Sequence, residues 1–221
     1  MVNYVVDLAV VEPQVPAGTE LDTWNGRAYV SVVGFRFLRT RVLGVPIPFH
    51  RNFDEVNLRI YVRRWVEGEW RKGVAFIKEI VPRRAIAFVA RTLYNENYDR
   101  MPMRSAVTIP GPVRYEWWHA GAWEGVSATV GGEATLPGPE AEETFISEHY
   151  WGYARQPDGS TIEYGVEHPQ WRVWRCEGAA LSCQAGPLYG ERFAKVLSGP
   201  PASAFLADGS PVIVRRGVRL R

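Results

Sequence analysis

Phe53 to Arg63 reads FDEVNLRIYVR, and its alternation decides the fold class. Side chains along a β-strand point to opposite faces in turn. Val56, Leu58, Ile60 and Val62 therefore share one face, and Glu55, Asn57, Arg59 and Tyr61 share the other. The apolar set predicts a strand laid against a core. The polar set predicts a face that either meets water with cross-strand ion pairs or lines a polar cavity, and inside a closed barrel the cavity reading wins.

The segments on either side extend the same pattern. Upstream, Trp24-Asn25-Gly26 is a turn in which Asn-Gly supplies positive φ, and RAYVSVVGFRF (Arg27 to Phe37) follows as a strand apolar on both faces, hence central. Downstream, GVAFIKEIVP (Gly73 to Pro82) reads as a partner strand with Lys78 and Glu79 on opposite faces. RRAIAFVARTLY then sets Ala85, Ile86, Val89, Ala90 and Leu93 at helical spacing after Pro82, which predicts a short helix. LYNENYDRMPM (Leu93 to Met103), which combines Asn95, Glu96, Asn97, Tyr98, Asp99 and Arg100, is either the polar exit of that helix or a loop that delivers side chains to a pocket.

Strands resume in VRYEWWHAGAWEGVSATV, and FISEHYWGYAR pairs with IEYGVEH across the turn Gln156-Pro157-Asp158-Gly159-Ser160. GPLYGERFAKVL predicts a second short helix, with Tyr189, Arg192, Phe193 and Val196 on one side and Pro187 in its first turn. SPVIVRRGVRL reads as a closing strand, and GGEATLPGPEAEE as a surface loop. Many strands with few helices between them predict a mainly β (α+β) domain over residues 1–221. Its mostly antiparallel sheet closes into a barrel or curves strongly.

Composition removes several function classes. The net charge is +2, from 26 basic and 24 acidic residues interspersed along the chain, too weak a field for a phosphate backbone, so no nucleic-acid partner is expected. No run approaches the roughly 18 apolar residues of a membrane span. Asp7 and Glu12 stand where a signal peptide would be basic and then apolar, which predicts a cytoplasmic protein. Cys176 and Cys183 lack metal or disulfide-framework spacing and are read as reduced thiols.

The Gly-rich phosphate loop, the G-x-S-x-G elbow and the H-E-x-x-H helix are all missing from the sequence. His50, His119, His149 and His168 have no compact ligand spacing. Glu148, His149 and His168 would need to assemble in space to hold a metal, so structural histidines, no metal and no cofactor are expected. Trp117, Trp118, Trp123, Trp151, Trp171 and Trp174 are read mainly as core, with some able to wall an apolar ligand pocket.

The ordered motifs ELDTWNGRAYVSVVGFRF, FHRNFDEVNLRIYVR, IVPRRAIAFVARTLYNENY and EHYWGYARQPDGSTIEYGVEHPQWRVW together resemble the YqjF-like family of unknown function, over nearly the whole chain. That family is remotely similar to acetoacetate decarboxylase, whose cone-shaped antiparallel barrel encloses a pocket where a lysine forms a Schiff base with a β-keto acid. The resemblance implies an acetoacetate-decarboxylase-like barrel here, two short helices, a small-molecule ligand and a homo-oligomer.

It also aligns Phe53-Asp54-Glu55 with a motif ending in a pocket glutamate, puts Tyr98 and Asp99 where the decarboxylase has paired lysines, and puts Ser31 in place of a second pocket glutamate. An imine needs an unprotonated amine, so the departure at Tyr98 and Asp99 disfavours Schiff-base decarboxylation. Lys78, on a strand expected to border the pocket, is the alternative amine, or an anion anchor together with Arg59. Glu55 and Tyr98 are thus the candidate catalytic residues, and Ser31, Asn57, Arg59 and Lys78 the candidate ligand-binding residues. The expected activity is on a small carboxylated or oxygenated metabolite. A non-catalytic ligand-binding or sensing protein is the alternative, and a structural subunit with the polar face exposed is a third reading.

Overall fold

The computed structural model describes residues 1–38, 41–42, 45–46, 52–82 and 97–220. The helix expected over Arg83 to Tyr94 lies outside the described residues, as does His50.

The chain opens with β1 (Val2–Val6), a single turn α1 (Leu8–Val11), β2 (Glu20–Leu21) and β3 (Ala28–Phe37). A two-stranded ladder of β4 (Arg41–Val42) and β5 (Val45–Pro46) follows. The longest strands come next, β6 (Phe53–Val66) and β7 (Glu69–Val81). After them run β8 (Tyr98–Arg100), β9 (Met103–Val107), β10 (Gly111–His119) and β11 (Ala122–Val130). Helix α2 (Glu142–Ser147) precedes the hairpin β12 (Trp151–Arg155) and β13 (Thr161–Glu167), and β14 (Val173–Ser182) leads to helices α3 (Ala185–Tyr189) and α4 (Glu191–Leu197). The described chain ends with β15 (Ser203–Ala207), β16 (Ile213–Val214) and β17 (Val218–Arg219).

All strands except β4 and β5 join one 15-stranded sheet in the order β16-β13-β12-β7-β6-β3-β1-β15-β14-β11-β10-β9, with β17 beside β13, β2 beside β6 and β8 beside β7. Its pairs are antiparallel except β12–β7 and β7–β8, which are parallel. The fold is mainly β, as the alternation in Phe53 to Arg63 predicts. The expected barrel is loose, because among the described residues the ladder runs open from β9 to β16. No described helix is long and apolar enough to cross a membrane.

The sheet folds back on itself over one core. Val56, Leu58, Ile60 and Val62 of β6 pack there with Val30 and Val32 of β3, Tyr115 and Trp117 of β10, and Phe193 of α4. Close approach depends on Gly34, where a Cβ would stand 2.8 Å from the Tyr115 ring. Burying each such aliphatic side chain stabilises the fold by about 1.5–3 kcal/mol.

The other face of β6 is covered as well. Phe145 and Ile146 of α2 pack on Tyr29, Tyr61 and Phe205, which leaves Tyr61 1% exposed, and farther along the strand Glu55 and Asn57 are each 2% exposed. The polar face therefore meets protein, not water. Phe145 to Ser147 were expected to begin a strand, but Glu142 and Glu143 in the first turn favour a helix through its dipole, and β12 starts only at Trp151.

The second expected helix is two, because Gly190 takes a φ of +100° and separates α3 from α4. The hairpin across 156–160 forms as expected, with Asp158 Oδ1 accepting from the Ser160 amide at 3.1 Å and Gly159 at a φ of +83°. The expected closing strand is reduced to the two-residue strands β16 and β17, both paired with β13.

Candidate functional site

The polar face of β6 continues across the sheet. Register sets Arg59 beside Ser31 of β3, Ser31 beside Asn3 of β1, and Asn3 beside Ser203 of β15. Hydrogen bonds link the row in one direction. Arg59 Nε donates to the Tyr61 hydroxyl at 3.4 Å, Tyr61 donates to Ser31 Oγ at 2.6 Å, Ser31 donates to Asn3 Oδ1 at 2.7 Å, and Asn3 Nδ2 donates to Ser203 Oγ at 3.0 Å. Ser203 Oγ then donates to the Glu142 carboxylate of α2. The chain thus runs from a guanidinium to a carboxylate, and each hydroxyl in it both accepts and donates, which satisfies polar groups that would be costly to bury alone. Arg59 Nη2 also donates to the Ile146 carbonyl at 2.9 Å, tying the row to α2.

At the start of β6 the arrangement differs. Glu55 accepts from the Tyr98 hydroxyl at 3.2 Å and from Asn57 Nδ2 at 3.2 Å. Tyr98 reaches it because β8 runs parallel to β7, with Tyr98 in register with Glu79 and Glu79 in register with Asn57. Burial drives the Glu55 carboxyl up to about 7, although the bonds from Asn57 and Tyr98 pull the other way. Asn57 Oδ1 is buried with no hydrogen-bond partner. An acid that titrates near neutrality beside an open acceptor can give or take a proton.

The family of uncharacterized conserved proteins designated DUF2071 matches residues 1–211. The chain belongs to that family. The protein YqjF of Bacillus subtilis (strain 168) is 35% identical over 105 residues, which cover 47% of this chain and 41% of YqjF, so the match spans less than half of that relative's length.

Among solved structures, acetoacetate decarboxylase from Legionella pneumophila is similar with a TM-score of 0.65 at 12% identity, covering 100% of this chain and 83% of that one. An acetoacetate decarboxylase-like enzyme from Sphingomonas wittichii RW1 gives a TM-score of 0.62 at 16% identity, covering 100% of this chain and 89% of that one. The enduracididine biosynthesis enzyme MppR complexed with pyruvate gives 0.60 at 14% identity, covering 99% and 81%. These likenesses establish for the DUF2071 chain an acetoacetate-decarboxylase-like fold.

The candidate residues fall into three groups. Glu55, Asn57 and Tyr98 bond directly, while Ser31 and Arg59 belong to the relay through Tyr61. Lys78 is in register with Leu58, whose side chain faces the apolar core, and its ammonium donates to Asp99 Oδ2 at 2.7 Å. A bulge after Leu58 brings Phe76 opposite Arg59, so Phe76 and Lys78 occupy opposite faces despite their even spacing.

Of three neighbours of the face, Asn3 was not singled out from the sequence, while Glu79 and His149 were named there in other roles. Asn3 was legible as a polar residue inside the apolar strand VNYVV, and Glu79 as the counterpart of Lys78. His149 was named only as a metal-ligand candidate, and its place beside this face had no local signal. It is 6% exposed, its ring lies 4.8 Å from that of Tyr61, and its Nε2 stands 3.9 Å from Asp22 Oδ2. Burial lowers its pKa, which keeps the imidazole neutral. Glu148, His149 and His168 do not converge: among the described residues no group of three His, Cys, Asp or Glu is set to hold a metal, and His168 stacks on Trp171 at 4.1 Å.

Proposed function

We propose that the Glu55 end of the polar face takes a small carboxylated or keto-bearing metabolite and moves a proton on it without a covalent intermediate. One observation is central to this reading: a fully buried carboxyl, raised to about 7, is held by a tyrosine hydroxyl and an amide whose own oxygen is unpartnered. In its ionised form Glu55 removes a proton from the carbon beside a keto group. The C–H electrons enter a carbon–carbon double bond, the carbonyl oxygen becomes an enolate, and the Tyr98 hydroxyl is the donor that stabilises it.

Asn57 holds the Glu55 carboxyl in place through its amide N–H, and Arg59 with Ser31 makes the far end of the face positive and rigid. Lys78 is on the opposite side of the sheet from this face and is paired with Asp99, so it takes no part in binding there. Tyr98 and Asp99 offer no amine for an imine, which is why proton transfer is favoured over Schiff-base chemistry. The pyruvate bound to the similarly folded MppR supports a keto acid as the ligand class.

The test is exchange of substrate hydrogens for deuterium in heavy water, followed by proton NMR on pyruvate and acetoacetate. Enzyme-dependent loss of the signals beside the keto group, abolished in Glu55→Gln with the fold intact, is the expected result. Saturable binding without exchange would leave a binding or sensing protein, and no binding of either acid would end the keto-acid reading.

A further inference from the structure

A second site lies away from the polar face, under the C-terminal strands. Strands β16 and β17 pair with β13 at Val214 and Arg219, and between them the Arg215 amide donates to the Gly165 carbonyl at 2.8 Å. The chain bridging the two strands roofs a cleft of about 920 Å³ against β12 and β13. That is the size of a well-formed small-molecule site. One wall is fixed by Gly152, over which the Tyr164 ring lies so closely that a Cβ would stand 2.1 Å from it.

The charge in this cleft is unbalanced. Arg64, Arg71, Arg215, Arg216 and Arg219 line it, against only two carboxylates, Glu163 and Glu167. Glu163 is shared by Arg64 at 3.2 Å and Arg71 at 2.7 Å, and Arg71 keeps a buried Nε without an acceptor. Glu167 is taken by both ends of Arg215, at 2.6 and 2.9 Å, and Arg219 pairs with Asp158 outside the cleft. Arg216 is exposed and has no acidic partner among the described residues. Two positive charges are left over, one from the Arg64–Arg71 pair and one from Arg216.

Planar rings face the same space. The Arg71 guanidinium covers the Trp151 ring at 4.3 Å, and Tyr150, 37% exposed, stands 4.9 Å from His168 at the rim. Arginine forks match phosphate oxygens, and a phosphomonoester brings about −1.5 to −2 charges at neutral pH. We propose that this cleft binds a phosphomonoester carried on a planar ring, of the size of a nucleoside monophosphate. The phosphate lies between Arg64, Arg71 and Arg216, and the ring lies against Tyr150 and Trp151. The site is independent of Glu55, and none of Glu55, Arg59, Lys78 and Tyr98 lines it.

Calorimetric titration of the full chain with a nucleoside 5′-monophosphate, the bare nucleoside and inorganic phosphate tests this. The monophosphate is expected to bind one site about tenfold or more tighter than either of the others, and Arg216→Gln to weaken it about tenfold. Because Arg216 is exposed, that variant keeps its fold. Arg192→Gln, an equal charge change at an exposed position of α4, is expected to change nothing. A monophosphate that binds no tighter than the nucleoside, or that Arg216→Gln and Arg192→Gln weaken equally, overturns the phosphate assignment. Inorganic phosphate binding as tightly as the monophosphate overturns the ring.

Discussion

Glu55 and Glu163 are two carboxylates of nearly equal burial, 2% and 6% exposed, that the molecule treats in opposite ways. Among the described residues Glu55 is met by neutral donors, the Tyr98 hydroxyl and the Asn57 amide. Glu163 sits between two guanidiniums, Arg64 and Arg71, each of which keeps a quarter or so of its surface in water, 29% and 24%. Neutral donors do not return the lost hydration of a charge, so Glu55 is driven toward its protonated form. Guanidiniums do return it, at the cost of holding charge in place. Burial alone therefore does not say what a carboxylate can do, and the partner set does.

The largest consequence is a pH dependence. Glu55 is raised from 4.5 to about 7 in the folded chain, so between those values the unfolded state has released the proton and the folded state still holds it. Its contribution to stability is complete below pH 4.5 and is lost as pH rises through 7, by about 3 kcal/mol. Urea unfolding at pH 5 and pH 8 should show most of this difference, about 2.5 kcal/mol. Glu55→Gln should remove it, because its amide does not ionise and Asn57 can turn its free oxygen to accept from it. If the variant keeps the full pH dependence, the neutral-donor account of Glu55 is wrong.

The same substitution at the other carboxylate sharpens the contrast. Glu163→Gln leaves two cations facing one neutral amide and should destabilise the chain at pH 7–8 by about 2 kcal/mol, below the usual range for a broken buried pair because both arginines reach water. In that range the two Glu→Gln changes are expected to have opposite signs. A neutral outcome at Glu163 would mean that the arginines relax into solvent, and the positive charge assigned to the cleft would then be dispersed.

How far this was readable in advance depends on the range of the interaction. The alternation of Phe53 to Arg63 correctly sorted Val56, Leu58, Ile60 and Val62 into a core and grouped Glu55, Asn57, Arg59 and Tyr61, because a period of two is a local property of the backbone. That the Arg59 and Tyr61 end of the polar face is covered depends on α2, whose Phe145 and Ile146 arrive from about ninety residues away, as the bond from Arg59 to the Ile146 carbonyl shows with a separation of 87. The link between Tyr98 and Glu55 was implied by the family resemblance, not by spacing, since the parallel pairing of β8 with β7 has no local signature. The bulge after Leu58 was hidden for the same reason. The arginine-lined cleft escaped notice because its residues are scattered over five segments of chain, and only the pairing of β16 and β17 with β13 collects them.

The smallest expected effect isolates one bond of the Glu55 set. Tyr98→Phe keeps the ring that packs with Phe53 and Val81 but removes the hydroxyl that donates to the carboxyl. The packing term is unchanged, so the loss should be the net value of one hydrogen bond, about 1 kcal/mol. Its second effect is directional. The Tyr98 bond holds the Glu55 carboxyl down against the upward push of burial, and without it the carboxyl should titrate higher than about 7, moving the pH at which stability falls in the same direction. A carboxyl-selective NMR titration of Glu55 in both proteins measures this directly. An unmoved midpoint would show that Tyr98 packs beside Glu55 without bonding to it. The difference between the two buried carboxylates would then rest on the arginines of Glu163 and the burial of Glu55, with no part played by the tyrosine, and the donor assigned to Tyr98 in proton transfer would have to come from elsewhere.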